Sequence, residues 1–160
     1  RNRVTAGPRT VVCQETELRG EISIGRTVLH PQCRIIAENG PIFIGSNNII
    51  EENCIIFNKN AAPLVIDVEG SRIGNNNIIN TRGRILGNTI VGNHCVIGAA
   101  CSTEINETIE DMTVIYGKQP NRRKQSSVLP GQASLHARHL DYLREVLPKY
   151  NHLKRLESIQ

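Results

Sequence analysis

The stretch Ile73–Gly117, IGNNNIINTRGRILGNTIVGNHCVIGAACSTEINETIEDMTVIYG, decides the fold. From Ile73 an aliphatic residue returns every six positions, at Ile79, Ile85, Val91, Ile97, Ile109 and Ile115, with Thr103 the single break. Four positions after each lies a second, mostly small column: Asn77, Gly83, Thr89, Cys95, Cys101 and Thr113, with Glu107 out of pattern. Neither a helical period nor plain alternation predicts both columns. A fixed repeat of this kind marks a solenoid, whose units bury their apolar faces only by stacking. Each six-residue unit is one short strand and one corner. Three units make a triangular turn of about 18 residues, with the first and fifth positions of each unit pointing inward.

Upstream, the pattern runs less strictly through Val12, Leu18, Ile24, Leu29 and Ile35, and resumes at Ile44, Ile50 and Ile56. Its small column reads Thr16, Ile22, Cys33, Asn48 and Cys54. Corners require tight turning or positive φ, which Gly and Asn tolerate. Ile24-Gly25, Ile44-Gly45, Ile73-Gly74, Val91-Gly92 and Ile97-Gly98 supply them, with Asn47-Asn48 and Asn75-Asn76-Asn77. The reading is an all-β chain whose residues 1–117 form a parallel β-helix of about five triangular coils. Two spacings depart from six: five between Ile24 and Leu29, and nine between Ile35 and Ile44, where Ala37–Pro41 should bulge as a loop. Between Phe57 and Arg72, which includes Pro63, the frame is lost.

After Gly117 the repeat stops. Residues 118–132 hold Pro120, Pro130, Gly131 and the basic run Arg122-Arg123-Lys124, and read as an extended linker. Residues 133–160 read as a C-terminal helical segment packing on the β-helix. Ser134 is placed to N-cap an α-helix, with an apolar stripe through Leu135, Leu140, Tyr142, Leu143, Val146 and Leu147 and an end at Pro148. Tyr150, Leu153 and Leu156 extend the stripe into a second short helical piece. A lone helix of this length is marginal in water, so it must lie on another surface.

Composition narrows the class. The 160 residues carry 19 Lys+Arg against 15 Asp+Glu, a formal charge of +4, with 3% aromatics, no Trp and one Met. That suits one domain with an aliphatic core. The charge is spread out and mostly C-terminal, which reads as a solvated surface and not as a nucleic-acid footprint. No apolar run reaches the roughly 18–20 residues of a membrane span, and the N-terminus lacks a signal-peptide apolar region. Five cysteines without paired spacing read as buried thiols in a reducing compartment.

Three chemistries used on such scaffolds can be tested residue by residue. Leu18-Arg19-Gly20-Glu21 with Ile24-Gly25 resembles the N-terminal coils of gamma-class carbonic anhydrases, which bind zinc through three histidines. Zinc catalysis needs about three protein ligands and an open position. Ile44–Asn58 contains no His, and His30 and His94 stand alone. Cys33, Cys54, Cys95 and Cys101 fall in the inward small column, where a free thiol acts as an apolar filler. An acyltransferase would need His30 or His94 as general base, yet neither has a carboxylate beside it in its own unit. Nucleotidyl transfer would need a phosphate-cradling glycine loop, which the sequence lacks. No catalytic residue, cofactor or metal is assigned.

The outward positions then carry the information. Ile78, Val96 and Val114 precede inward aliphatics and lie 18 residues apart, so they stack as an outer apolar column. Val11, Val28 and Ile49 fall on one face with one another if the irregular corners preserve the turn count. Such a stripe is covered by the chain itself or docks a partner, and these six residues are the candidate partner-binding positions.

Four phrases, RIIAENGPIFIG (Arg34–Gly45), NNIIEENCII (Asn47–Ile56), TVIYG (Thr113–Gly117) and LPKYNHLK (Leu147–Lys154), resemble the dynactin subunit 6 family across almost the whole chain. The tail phrase discriminates, since many hexapeptide-repeat transferases share the units. The resemblance implies a left-handed coil, a handedness that the period alone does not give. It also implies a non-catalytic, cytoplasmic and cytoskeleton-associated subunit of dynactin, the activator of dynein. Its implied partners are dynactin subunit 5 as a paired β-helix, dynactin subunit 4 and the pointed-end actin-related protein, with dynein and cargo adaptors reached indirectly. No nucleic-acid partner or membrane insertion is implied. The alternative from a different class is a hexapeptide-repeat enzyme related to gamma-class carbonic anhydrase or to the acyltransferases.

Overall fold

The computed structural model describes residues 2–58, 70–118, 121–125 and 130–158. Three parallel walls make a triangular β-helix. Wall A stacks Arg3–Ala6, Glu21–Ile24, Ile42–Ile44, Ser71–Ile73, Ile90–Val91 and Thr108–Ile109. Wall B stacks Val11–Val12, Val28–Leu29, Ile49–Ile50, Ile78–Ile79, Val96–Ile97 and Thr113–Tyr116. Wall C stacks Glu17–Arg19, Arg34–Ile36, Ile55–Phe57 and Arg84–Leu86, continued by an isolated bridge from Arg84 to Ser102. Six successive coil strands stack in parallel in each of walls A and B, so the coil has six turns rather than about five. The additional strand, Arg3–Ala6, precedes the first recognisable unit and pairs in register with Glu21–Ile24.

The inward columns are as the six-residue period requires. Ile24, Ile44, Ile73, Val91 and Ile109 are stacked partners along wall A, and Leu29, Ile50, Ile79, Ile97 and Ile115 along wall B, all of them buried. The small column is polar where hydrogen bonds can pass from coil to coil. Buried Asn48 accepts the Asn77 amide N–H on Oδ1 (2.9 Å) and donates from Nδ2 to the Gly74 carbonyl (2.8 Å). Asn77 repeats this one coil on, accepting from the Cys95 N–H (2.7 Å) and donating to the Gly92 carbonyl (2.9 Å). A buried amide with both ends bonded avoids the desolvation penalty of an unpaired polar group.

The irregular spacings also resolve. The loop after Ile36 is held by buried Asn58, whose Oδ1 accepts from the N–H groups of Glu38 (2.9 Å) and Asn39 (3.2 Å) while Nδ2 donates to the Gly40 carbonyl (2.8 Å). Residues 59–69, most of the stretch where the frame is lost, lie outside the described residues. On either side of them the register is continuous, pairing Ile44 with Ile73, Ile50 with Ile79 and Ile56 with Ile85.

The corner glycines act differently from the expectation. Gly25, Gly45, Gly74, Gly92 and Gly98 do not have positive φ; at one corner column that conformation belongs to Arg9, Asn47, Asn76, His94 and Met112. The glycines are needed because the next coil passes too close for a side chain. A Cβ on Gly25 would lie 2.7 Å from the Gly45 carbonyl oxygen, and one on Gly74 would lie 2.5 Å from that of Gly92.

The C-terminal part departs from the predicted linker and second helical piece. Asn121–Lys124 is a strand, antiparallel to Thr113–Tyr116, so the basic run covers the open edge of the last wall B strand. Arg122 makes a two-pronged contact with Glu107 (Nε–Oε1 2.5 Å, Nη2–Oε2 2.7 Å), and Lys124 meets Glu110 at 3.0 Å. The α-helix then spans Pro130–Tyr150, which places Ser134 inside it and not at its cap. Proline at a first helical position costs no hydrogen bond. The helix also passes Pro148, and its last turn is closed by the Asn151 N–H donating to the Leu147 carbonyl (2.9 Å). Beyond it the chain is extended. Leu153 bridges Cys13, the Lys154 N–H donates to the Val12 carbonyl (2.8 Å), and Glu157–Ser158 pairs with Thr5–Ala6. Unpaired edge groups of the first coil explain this preference for extended pairing over helix.

Two outcomes follow from these contacts. Gly74→Ala forces a methyl group against the Gly92 carbonyl and should lower stability by about 1–3 kcal/mol, read by urea unfolding. Glu107 is held below the usual carboxylate range, because the Arg122 hydrogen bonds and charge and the Glu104 N–H outweigh the upward push of burial. A depressed carboxylate stabilises above its unfolded pKa and loses that contribution as pH falls through the folded value. Amide protection of Thr113–Tyr116 should therefore drop on acidification, and Glu107→Gln should weaken it already at neutral pH.

Candidate functional site

The outward residues of wall B form one unbroken column, Val11, Val28, Ile49, Ile78, Val96 and Val114, paired in that order. The helix divides it. Leu140, Leu143 and Leu147, spaced to share one helical face, pack on Val11, Val28 and Ile49 together with Cys13, and all seven are buried. Three of the six candidate partner positions are thus covered by the chain itself. Ile78, Val96 and Val114 remain half-buried.

Next to the covered half, the helix and the corner preceding wall B enclose a groove of about 360 Å³. Its corner side is one residue per coil, Arg9, Arg26, Asn47, Asn76 and His94, each two positions before a wall B strand. Its helix side presents Ala133, His136, Ala137, Leu140, Asp141 and Arg144 at helical spacing. Ile78 and Val96 line one end. His136 Nε2 sits 2.6 Å from the Asn47 carbonyl oxygen, tying the helix to the third coil. Arg144 donates to the Arg9 carbonyl (3.3 Å) and the Arg26 carbonyl (3.4 Å), tying it to the first two. Burial, with Arg9 and Arg26 nearby, pulls the Arg144 pKa down. Asp141 meets Arg9 at 3.8 Å and Arg144 at 3.6 Å.

Sequence reasoning did not single out these arginines or His136. Their signal was available in part: Arg9 and Arg26 occupy the corner position two before the outward valines. What could not be read was where the helix, expected to pack on the coil, would lie.

The residues nominated for chemistry are placed apart. His30 follows wall B, with Nδ1 3.0 Å from the Ile50 carbonyl oxygen, whereas His94 precedes wall B at a corner with φ 55°. They stand at opposite edges of one wall. Among the described residues, no three His, Cys, Asp or Glu side chains gather as a metal site. The five cysteines are buried and unpaired. The Cys33 and Cys54 thiols donate to carbonyls of the next coil, those of Glu51 (2.9 Å) and Asn80 (3.1 Å). Burial, reinforced by Glu15 and Glu52, pushes the Cys13 thiol up to about 11. Hydrogen bonding with Cys54 and burial raise Cys33, and burial raises Cys95.

Curated relatives match almost end to end. The chain is 42% identical over 171 residues to dynactin subunit 6 of Nematostella vectensis, covering 93% of this chain and 91% of that protein. It is 38% identical to the Xenopus tropicalis dynactin subunit 6, covering 95% and 85%, and 37% identical to that of Danio rerio, covering 96% and 87%. The chain belongs to the dynactin subunit 6 family. No family model matches it. Among solved structures, this dynactin subunit 6 family member is similar in fold to AntD, an N-acyltransferase from Bacillus cereus, with a TM-score of 0.63 and 13% identity over 87% of this chain and 90% of that one. It is likewise similar to a hexapeptide transferase family protein from Anaplasma phagocytophilum, with a TM-score of 0.59 and 8% identity over 91% and 96%. At such identities the likeness concerns the fold, a parallel β-helix of hexapeptide repeats. Among the described residues, no helix of this family member is long and apolar enough to cross a membrane.

The thiol geometry predicts reactivity. In the native protein at pH 8, a chromogenic thiol reagent should react far more slowly than with free cysteine, because all five thiols are buried and raised pKa values suppress the thiolate at Cys13, Cys33 and Cys95. In urea all five cysteines should react at once. A thiol of the native protein reacting at the rate of free cysteine would contradict the packing described.

Proposed function

We propose that this chain is a non-catalytic scaffold subunit of the dynactin complex, cytoplasmic and cytoskeleton-associated. It sits at the pointed end, pairs with the second β-helix subunit, dynactin subunit 5, and adjoins dynactin subunit 4 and the pointed-end actin-related protein. In that place it supports dynein-driven transport along microtubules and the attachment of cargo adaptors. Kinship with the named relatives supports the assignment to dynactin.

The observation that carries the scaffold reading is the division of the wall B column. Its first half is sealed by the chain's own helix, while Ile78, Val96 and Val114 continue the same apolar ladder without those leucines. A stiff stack of stranded coils keeps this ladder flat, which suits a broad contact with another wall. The separation of His30 from His94 supports a role without catalysis. The fold likeness to acyltransferases favours the alternative, a hexapeptide-repeat enzyme.

Co-expression with dynactin subunit 5 tests the proposal. Val96→Glu with Val114→Glu should cut retention of subunit 5 by roughly tenfold or more, since a buried unpaired charge in an interface costs several kcal/mol. The unfolding midpoint should be kept. Unchanged retention with intact folding would remove the pairing. Stoichiometric zinc with hydration activity, or acyl transfer by the purified chain, would favour the enzyme.

A further inference from the structure

We infer that the groove between the helix and the corner column binds an extended acidic peptide segment of a partner protein, its carboxylates against Arg9 and Arg26 and an apolar side chain against Ile78 and Val96. Charge gives the first argument. Three guanidinium groups line the groove and one carboxylate, Asp141, faces them. Asp141 is shared between Arg9 and Arg144 at 3.8 and 3.6 Å, and Arg26 makes no ion pair among the described residues. Gathering like charges raises the local potential and draws in anionic partners.

Shape gives the second. The five corner residues from Arg9 to His94 belong to successive coils. At a strand spacing of about 4.8 Å they make the groove roughly 19 Å long, the length of about six residues of extended chain. A compact anion such as phosphate would fill the arginine end and leave Ile78 and Val96 uncovered. The two ends differ in character, so an occupant must carry acidic and apolar groups several residues apart.

Sequence explains why the groove is open among the described residues. Where the helix is sealed to the wall it presents Leu140, Leu143 and Leu147, and along the groove it presents Ala133 and Ala137. Small side chains there leave the floor unfilled while His136 and Arg144 hold the helix at a fixed height. Among the described residues no Phe, Tyr or Trp lines the groove, so it lacks the large stacking platforms of a single-stranded nucleic-acid site. Ile78 and Val96 also belong to the column proposed to meet subunit 5, whereas Arg9, Arg26 and Arg144 line the groove alone, so Arg26→Glu tests the groove without touching that column.

The test uses the full chain and fluorescence anisotropy with a labelled peptide of about eight residues, three glutamates at one end and two leucines at the other. A second peptide carries lysines in place of the glutamates. Saturable binding of the acidic peptide, weakening with salt, is expected, and no binding of the lysine peptide. Arg26→Glu should weaken binding roughly tenfold, the size of one lost or reversed charge contact. Ala137→Glu, which fills the groove and repels the ligand, should do the same, and both variants should retain the wild-type thermal midpoint. Equal binding of the two peptides, or acidic binding indifferent to both variants, would overturn the inference. So would Arg26-dependent binding of phosphatidylserine vesicles, or displacement of the peptide by millimolar inorganic phosphate. Loss of peptide binding with subunit 5 still retained separates this site from the docking column.

Discussion

Each coil of this protein lies on the next at the spacing of one backbone hydrogen bond, and that contact governs what every position tolerates. The Gly25, Gly45 and Gly74 corners are bare because the backbone of the following coil occupies the volume of a Cβ. Inside, the same spacing lets Asn48 and Asn77 each reach the backbone of the following coil with both ends of the amide, so that a polar column is buried and bonded. Apolar burial supplies most of the driving force, but it is the short step between coils that selects which residue types appear at each site.

The distinction explains what was legible beforehand. The inward columns follow from a period, and a period is visible in one dimension. The same holds for the loop at Ala37–Pro41 and for the two outward sets, Val11, Val28 and Ile49, and Ile78, Val96 and Val114, whose union in one ladder appears only in the pairing of Ile49 with Ile78. The corner glycines were recognised but given the wrong cause: positive φ belongs to Asn47, Asn76 and His94, two residues further on, and the close approach of another coil has no local signature. Asn121–Lys124 reads as a polar linker because its strand conformation comes from the edge it covers. The tail from Leu153 to Ser158 has an apolar spacing that suits a helix, yet the open edge of the first coil offers backbone partners that a short isolated helix cannot match. The groove was hidden for a related reason, since much of its lining comes from a helix distant in sequence, 89 residues on for the His136–Asn47 contact and 135 for Arg144–Arg9.

The fold is shared with acyltransferases at identities near a tenth, whereas the kinship with dynactin subunit 6 extends over nearly the full length. A β-helix is a frame on which different surfaces are mounted, and fold alone does not assign activity. In this chain the distinctive surface is wall B with its helix: a ladder partly sealed by leucines, and beside it a groove with arginines at one end and aliphatics at the other.

The pairing of Glu157–Ser158 with Thr5–Ala6, beside the bridge from Leu153 to Cys13, fastens the last described residues to the first coil. A solenoid can otherwise grow from one end, each coil templating its successor as it leaves the ribosome. Here the Thr5–Ala6 edge is covered only by a segment made about 150 residues later, Glu157–Ser158. Between the making of one strand and the docking of the other, Thr5–Ala6 lacks this partner and can pair with a neighbouring chain, and that interval invites misassembly.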